Sequence, residues 1–243
     1  MSQKKAFDGK VPPAQGLYET STTEGAELGT RLEFDDGRVF RYVKSDGTGT
    51  GVGFLVAYGG TTLDVEASNY VISVANYNGT DKLNPWIVLG TGTVTANAYD
   101  DGFITINSST GAGQTRKVKE NTTTIIKLYD PLVTAVSATS HATLIPAPYT
   151  GVKKSVASGT NFNKILGVAI VALGANEYGW IQTRGWAGVT DSVVLAIGLA
   201  AIQGTTAGNT LQAPTNTAAQ PLGTALYTGV TNGDLSMVYL TCE

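Results

Sequence analysis

Asp36-Gly37-Arg38-Val39-Phe40-Arg41-Tyr42-Val43-Lys44 reads as a turn that delivers a strand. Asp-Gly supplies the positive-φ corner that tight hairpins need, and Val39–Val43 is a β-branched and aromatic run. The pattern continues downstream. Phe54–Tyr58, Tyr70–Val74, Trp86–Leu89, Thr93–Ala96, Phe103–Ile106, Thr115–Lys119 and Thr124–Tyr129 are short apolar or alternating runs. His141–Ile145, Val152–Val156, Leu166–Leu173, Tyr178–Thr183, Val193–Leu199 and Met237–Thr241 follow. Further Asp-Gly pairs at 46–47 and 101–102, Asn-Gly at 78–79 and 232–233, and Gly-Gly at 59–60 stand between them. Short strands divided by turn dipeptides predict an all-β protein, built as a β-sandwich or as barrel-like β domains. At most one short helix is expected, with Asp130 as cap, Pro131 at the first position and about two turns over Leu132–Ser137.

Three segments differ in chemistry. Residues 1–32 mix charged residues, Thr and Gly with Pro12-Pro13 and show no periodicity, which predicts an extended N-terminal arm. Residues 33–130 form a predicted N-terminal β domain. Residues 131–243 carry only eight of the chain's 35 Lys, Arg, Asp and Glu residues, with none between Asp191 and Asp234. For the whole chain the charged share is 14%, where a soluble domain has about 25%. Charge depletion marks the core of protein interfaces, so the region 131–243 is expected to mediate oligomerisation.

The same composition excludes several functions. A net charge of −3 and a pI near 5.2, with no basic stripe, argue against a nucleic-acid partner. One cysteine, Cys242, and one histidine, His141, leave no disulfide framework, Cys cluster or His-pair zinc motif, so no cofactor is expected. No apolar run approaches the roughly 20 residues of a membrane span, and no apolar segment follows Lys4-Lys5 as in a signal peptide. The expectation is therefore synthesis in the cytoplasm, with no membrane partner.

Motifs with catalytic overtones read more simply as turns. The glycine-rich stretch Asp46–Gly53 leads into a strand rather than a helix N-terminus, so it lacks the geometry that cradles phosphate. Phe34-Asp35-Asp36-Gly37 and Tyr99-Asp100-Asp101-Gly102 suit tight turns better than paired carboxylates for calcium or glycosides. His141 has no nucleophile elbow to serve. Trp86, Trp180 and Trp186 suit a β core better than a sugar platform. No catalytic residue is assigned, and the chain is not expected to be an enzyme.

Several short stretches resemble the decoration, or cement, proteins of tailed phages. They are Glu27–Leu32 followed by Asp36–Tyr42, Gly113–Lys119, Lys127–Leu132, Pro148–Val152 and Tyr178–Gly185, in the order expected. The resemblance implies a β-rich protein on the exterior of the virion capsid, a homotrimer bridging subunits of the phage major capsid protein. It implies no catalytic residues. On that reading the arm and the charged N-terminal half contact the capsid, with Lys4, Lys5, Lys10, Pro12 and Pro13 as candidate contact residues, and the charge-poor C-terminal half forms much of the trimer. A trimeric receptor-binding, tail-tip or carbohydrate-binding module remains the alternative.

Overall fold

The computed structural model describes residues 5–7, 15–58, 69–74, 78–155, 164–191, 197–204, 211–212, 221–227 and 234–243. Among these residues there is no helix, and the protein is all-β. Four strands come first: β1 (Lys5–Phe7), β2 (Arg31–Phe34), β3 (Val39–Lys44) and β4 (Leu55–Ala57). Next are β5 (Tyr70–Ser73), β6 (Trp86–Leu89), β7 (Phe103–Ser108), β8 (Thr115–Asn121), β9 (Ile125–Leu128) and β10 (His141–Ile145). After them come β11 (Lys153–Lys154), β12 (Ile165–Ala169), β13 (Tyr178–Thr190), β14 (Ala200–Gln203), β15 (Leu211–Gln212), β16 (Pro221–Tyr227) and β17 (Leu235–Thr241).

The chain divides into two compact units, but not as two consecutive domains. One unit is Met1–Thr61 together with Pro148–Glu243; the other, Thr62–Ala147, is inserted between them in sequence. The expected boundary at 130/131 falls inside the inserted unit. Charge content, the basis of that boundary, tracks which surfaces face water and carries no information on which strands pair.

The inserted unit is a closed barrel in the order β10-β5-β6-β9-β8-β7. Closure leaves no strand edge open in the ring. Alternation fills it: along β7, Ile104 and Ile106 are buried while Phe103 is exposed. Ile72, Ile87, Val118, Ile126, Leu128 and Leu144 complete the same core. Residues 132–137 are irregular here, not helical. The Gln114 side chain accepts the N–H groups of Val133 and Thr134 at 2.8 and 3.0 Å, and Leu132 N–H reaches the Gly79 carbonyl at 2.7 Å. Those bonds replace intrahelical ones and let Leu132 and Val136 drop into the barrel core. The predicted strand Thr93–Ala96 is also irregular, with Val94 buried against that core.

The other unit is a curled sheet in the order β1-β2-β3-β13-β17-β16-β14-β15, with β12, β4 and β11 branching from β13. The β2–β3 hairpin turns at Asp35-Asp36-Gly37 as the sequence predicts: Gly37 has φ +83°, its N–H reaches the Phe34 carbonyl at 2.9 Å, and Asp36 accepts from the Arg38 N–H. The long β13 is the spine. Its first half pairs with β3, Trp180 opposite Tyr42 and Gln182 opposite Phe40. Its second half pairs with β17, Trp186 opposite Tyr239 and Gly188 opposite Met237. Between the halves the register with β3 shifts at Thr183. The buried Gln182 amide holds this bulge by donating to the carbonyls of Arg184 and Trp186 at 3.0 and 2.8 Å.

Burial changes at the bulge. Before it β13 is covered on both sides: Trp180 packs with Leu32, Phe34, Phe40 and Tyr42, and Ile181 packs with Val43, Val56 and Leu166. After it the strand alternates, with Ala187 and Val189 buried and Arg184, Trp186 and Gly188 exposed.

The predicted arm is shorter than 1–32. Residues 15–30 pack on the sheet: Gln15 is buried, its amide donates to the carbonyls of Glu19 and Tyr178, and its own carbonyl receives Trp180 Nε1–H at 3.4 Å. Tyr42 Oη donates to the Gln15 side chain and accepts the Gly25 N–H at 2.9 Å. Ser21 forms a bridge with Tyr178. Aromatic partners on β3 and β13, Tyr42 nearby in sequence and Tyr178 and Trp180 far from it, supply the hold on this segment, which its own polar composition does not reveal.

Candidate functional site

The largest chemical feature of the charge-poor region is a face of its sheet. In register, Trp186, Gly188 and Thr190 of β13 lie opposite Tyr239, Met237 and Leu235 of β17. Across β17, Tyr239 is opposite Thr224 and Met237 opposite Tyr227 of β16. A register shift between Ala225 and Tyr227 leaves both Leu226 and Tyr227 outside. Trp186, Leu235, Met237 and Tyr227 are 42%, 51%, 47% and 59% exposed, which single scattered apolar residues would not make notable but a contiguous set does. The Trp186 and Tyr239 rings meet edge to face with centroids 4.8 Å apart.

The opposite face of the same strands explains why these residues stay outside. Ala187, Val189, Leu222, Ala225, Val238 and Leu240 pack with Leu55, Ala57, Ile165 and Val168. With period-2 alternation the remaining residues must point away. Between its two ends the described residues of the exposed face carry no charge. Arg184 stands at one end and Asp234 at the other, and no charged residue lies between Asp191 and Asp234 in the sequence.

Beside the Arg184 end, the Glu243 carboxylate receives Arg41 Nε–H at 3.1 Å and the Thr183 hydroxyl at 2.9 Å, and Arg31 Nε lies at 3.4 Å. Burial pushes this carboxyl up, but the hydrogen bonds from Arg41 and Thr183 and the charges of Arg41 and Arg31 outweigh it and hold it below the ordinary glutamate value. A carboxyl lowered in the folded state contributes stability above its unfolded value, near 4.5, and loses it as pH falls through the folded value. Glu243→Gln is therefore expected to cost about 1 kcal/mol at neutral pH, a partly screened network being weak. Urea unfolding of both proteins checks this, and the difference should shrink as pH falls below the ordinary glutamate value. Next to it, burial pushes the Cys242 thiol up to about 11, so it is protonated and unreactive at neutral pH.

The motifs set aside in the sequence are structural where they are described. Asp46 accepts from Thr48 N–H, Thr48 hydroxyl and Gly49 N–H at 2.8, 2.7 and 3.1 Å, closing the glycine-rich loop on itself. Asp101, at φ +60° in its turn, pairs with Lys117 at 3.2 Å and accepts from Tyr129 Oη. His141 Nδ1 meets Ser108 Oγ at 2.9 Å, where the β10–β7 register shifts. Trp180 is a core residue and Trp86 is half-buried, whereas Trp186 is exposed on the apolar face. Reading all three tryptophans as core missed this one. Its setting, Arg-Gly-Trp-Ala-Gly, differs from that of Trp180: Gly185, at φ +85° against the Arg38 backbone, follows the bulge after which β13 packs on one side only.

Of the candidate arm residues, Lys4, Lys10, Pro12 and Pro13 lie outside the described residues. Lys5 opens β1, whose backbone pairs antiparallel with β2, Lys5 opposite Phe34 and Phe7 opposite Leu32. The arm thus adds a strand to the outer edge of its own β2. Among the described residues no group of three or more His, Cys, Asp or Glu side chains is placed to hold a metal ion. Nor, among the described residues, is any helix long and apolar enough to cross a membrane. No protein-family profile, curated protein or solved structure matches the chain.

Proposed function

We propose that this chain is a non-enzymatic structural protein that binds the exterior of a tailed-phage capsid as a homotrimer and cements neighbouring major capsid subunits. The observation that supports it most is where the phage-like stretches fall. Asp36–Tyr42 and Tyr178–Gly185 lie on β3 and β13, which pair with each other residue for residue. Gly113–Lys119 takes in most of β8 and Lys127–Leu132 the end of β9, and the two meet where Val118 lies opposite Leu128. The stretches that carry the resemblance therefore lie in paired strands, one pair within the sheet and one within the barrel.

Cementing works through repeated modest contacts. One footprint of millimolar strength is worth only about 4 kcal/mol. Three on a rigid trimer gain on the order of 10²–10⁴ in avidity when the symmetry matches. The arm suits one such footprint, because a segment that adds a strand to β2 can add one to a capsid subunit. Removing residues 1–14 spares Gln15 and everything it anchors. The test is sedimentation with undecorated phage heads. The full chain is expected to co-sediment and stabilise heads, and the truncated chain to bind at least about tenfold more weakly at unchanged solution mass. Failure of the full chain to bind any heads, with binding to cells or glycans instead, would move the assignment to a tail-tip module.

A further inference from the structure

We propose that the apolar face of Trp186, Tyr239, Met237, Leu235, Tyr227 and Leu226 is where one copy of this chain packs on another, sheet face against sheet face. The count of three copies rests on the function proposed above; the assignment of the face does not.

Charge selects the occupant. A partner presenting Lys, Arg, Asp or Glu would have to bury it against side chains that offer no counter-charge, at a cost of several kcal/mol per ion. The fitting partner is apolar and uncharged over the same extent. A second copy offers that surface in equal amount, and the sequence keeps charge out of the whole span between Asp191 and Asp234. The residue types agree, since aromatic residues and Met are enriched in interface cores and charged residues are depleted.

Topology selects the mode. β17 lies inside the sheet, paired on one edge with β13 and on the other with β16. Its backbone hydrogen bonds are taken, so no strand can add there, and the contact must be made by side chains between two faces about 10 Å apart.

Gly188 gives a clean probe. It lies on this face opposite Met237, and a Cβ added there would meet only Leu235 carbons at 3.7 and 3.8 Å, ordinary contact distance. Gly188→Arg therefore sets a charge in the middle of the face without removing a packed side chain. Met237→Glu is the second variant, and Thr105→Arg on the barrel exterior is the control. Each is measured by light scattering during size exclusion, with circular dichroism to establish folding, and by sedimentation with undecorated heads.

The full chain is expected at a multiple of 25.2 kDa. Whichever face variants fold should fall to single-chain mass, and the control should keep the full mass. A full chain that is monomeric at about 100 µM overturns the proposal, because a face of this kind should hold copies together well below that concentration. So do folded face variants of unchanged mass. If those variants keep their mass and lose head binding, the face is the capsid contact: the copy–copy assignment fails and the cement reading stands. If face variants become monomeric but the full chain binds no heads, the assignment stands and the cement reading fails.

Discussion

Trp180→Ala is expected to lower the stability of the sheet unit by about 3–5 kcal/mol, the usual cost of emptying a fully buried large aromatic site. Trp180 is wholly inaccessible to solvent, lies edge to face with Tyr42 at 5.1 Å and donates to the Gln15 carbonyl. Its loss leaves a cavity between β2, β3 and β13 and an unpaired carbonyl at the point where residues 15–30 are pinned. The midpoint of thermal unfolding should fall by roughly 10 °C. Hydrogen exchange should find the first protection lost at Ser21 and Tyr178, which bond to each other across this site. A loss under about 1.5 kcal/mol would mean that the segment 15–30 collapses into the space, and that its hold comes from Gln15 and Tyr42 instead.

Gly223→Ala should be nearly as damaging, at roughly 3–5 kcal/mol. Gly223 has φ +156°, and a Cβ there would lie 1.8 Å from the Tyr239 carbonyl oxygen. That oxygen belongs to the β17 backbone and cannot rotate away, so β16 must separate from β17. Gly188→Ala on the neighbouring strand is the comparison and should change stability by no more than about 0.5 kcal/mol. Urea unfolding of the two variants decides. Because Tyr239 and Met237 sit on the strand that Gly223 crowds, Gly223→Ala should also disturb the apolar face, whereas Gly188→Ala should not.

These two glycines show where sequence reading runs out. Both interrupt apolar runs and look alike in the chain, yet one is crowded by backbone and the other faces open space. Strands with clear alternation and no glycine were legible to the residue: Trp86–Leu89 and His141–Ile145 were expected and found with those bounds. β13 was expected to end at Thr183, because Arg184, Gly185 and Gly188 break its pattern, but it runs on to Thr190. β16 begins with Pro221 and β2 sits in the polar N-terminal stretch, and neither was expected as a strand. Of the expected strand Val193–Leu199, residues 193–196 lie outside the described residues; 197–199 turn, and the strand described next starts at Ala200. Depletion of charge pointed to the region 131–243 as a whole, and which side chains form its exposed face depends on the cross-strand register of β13, β17 and β16. No local pattern encodes that register.

The insertion of the barrel into the sheet unit has a consequence for how the chain is made. β3 finds its partner β13 only when residues 178–190 have left the ribosome, and Lys44 precedes Tyr178 by roughly 7–27 s at ordinary elongation rates of about 5–20 residues per second. All six barrel strands lie between Tyr70 and Ile145, so the barrel has its full complement of partners while the β2–β3 hairpin still waits with Phe40 and Tyr42 uncovered. The inserted unit thus has all its strands before the sheet unit does, because β13 and β17, which complete the pairing of β3 and β16, come after it in the chain.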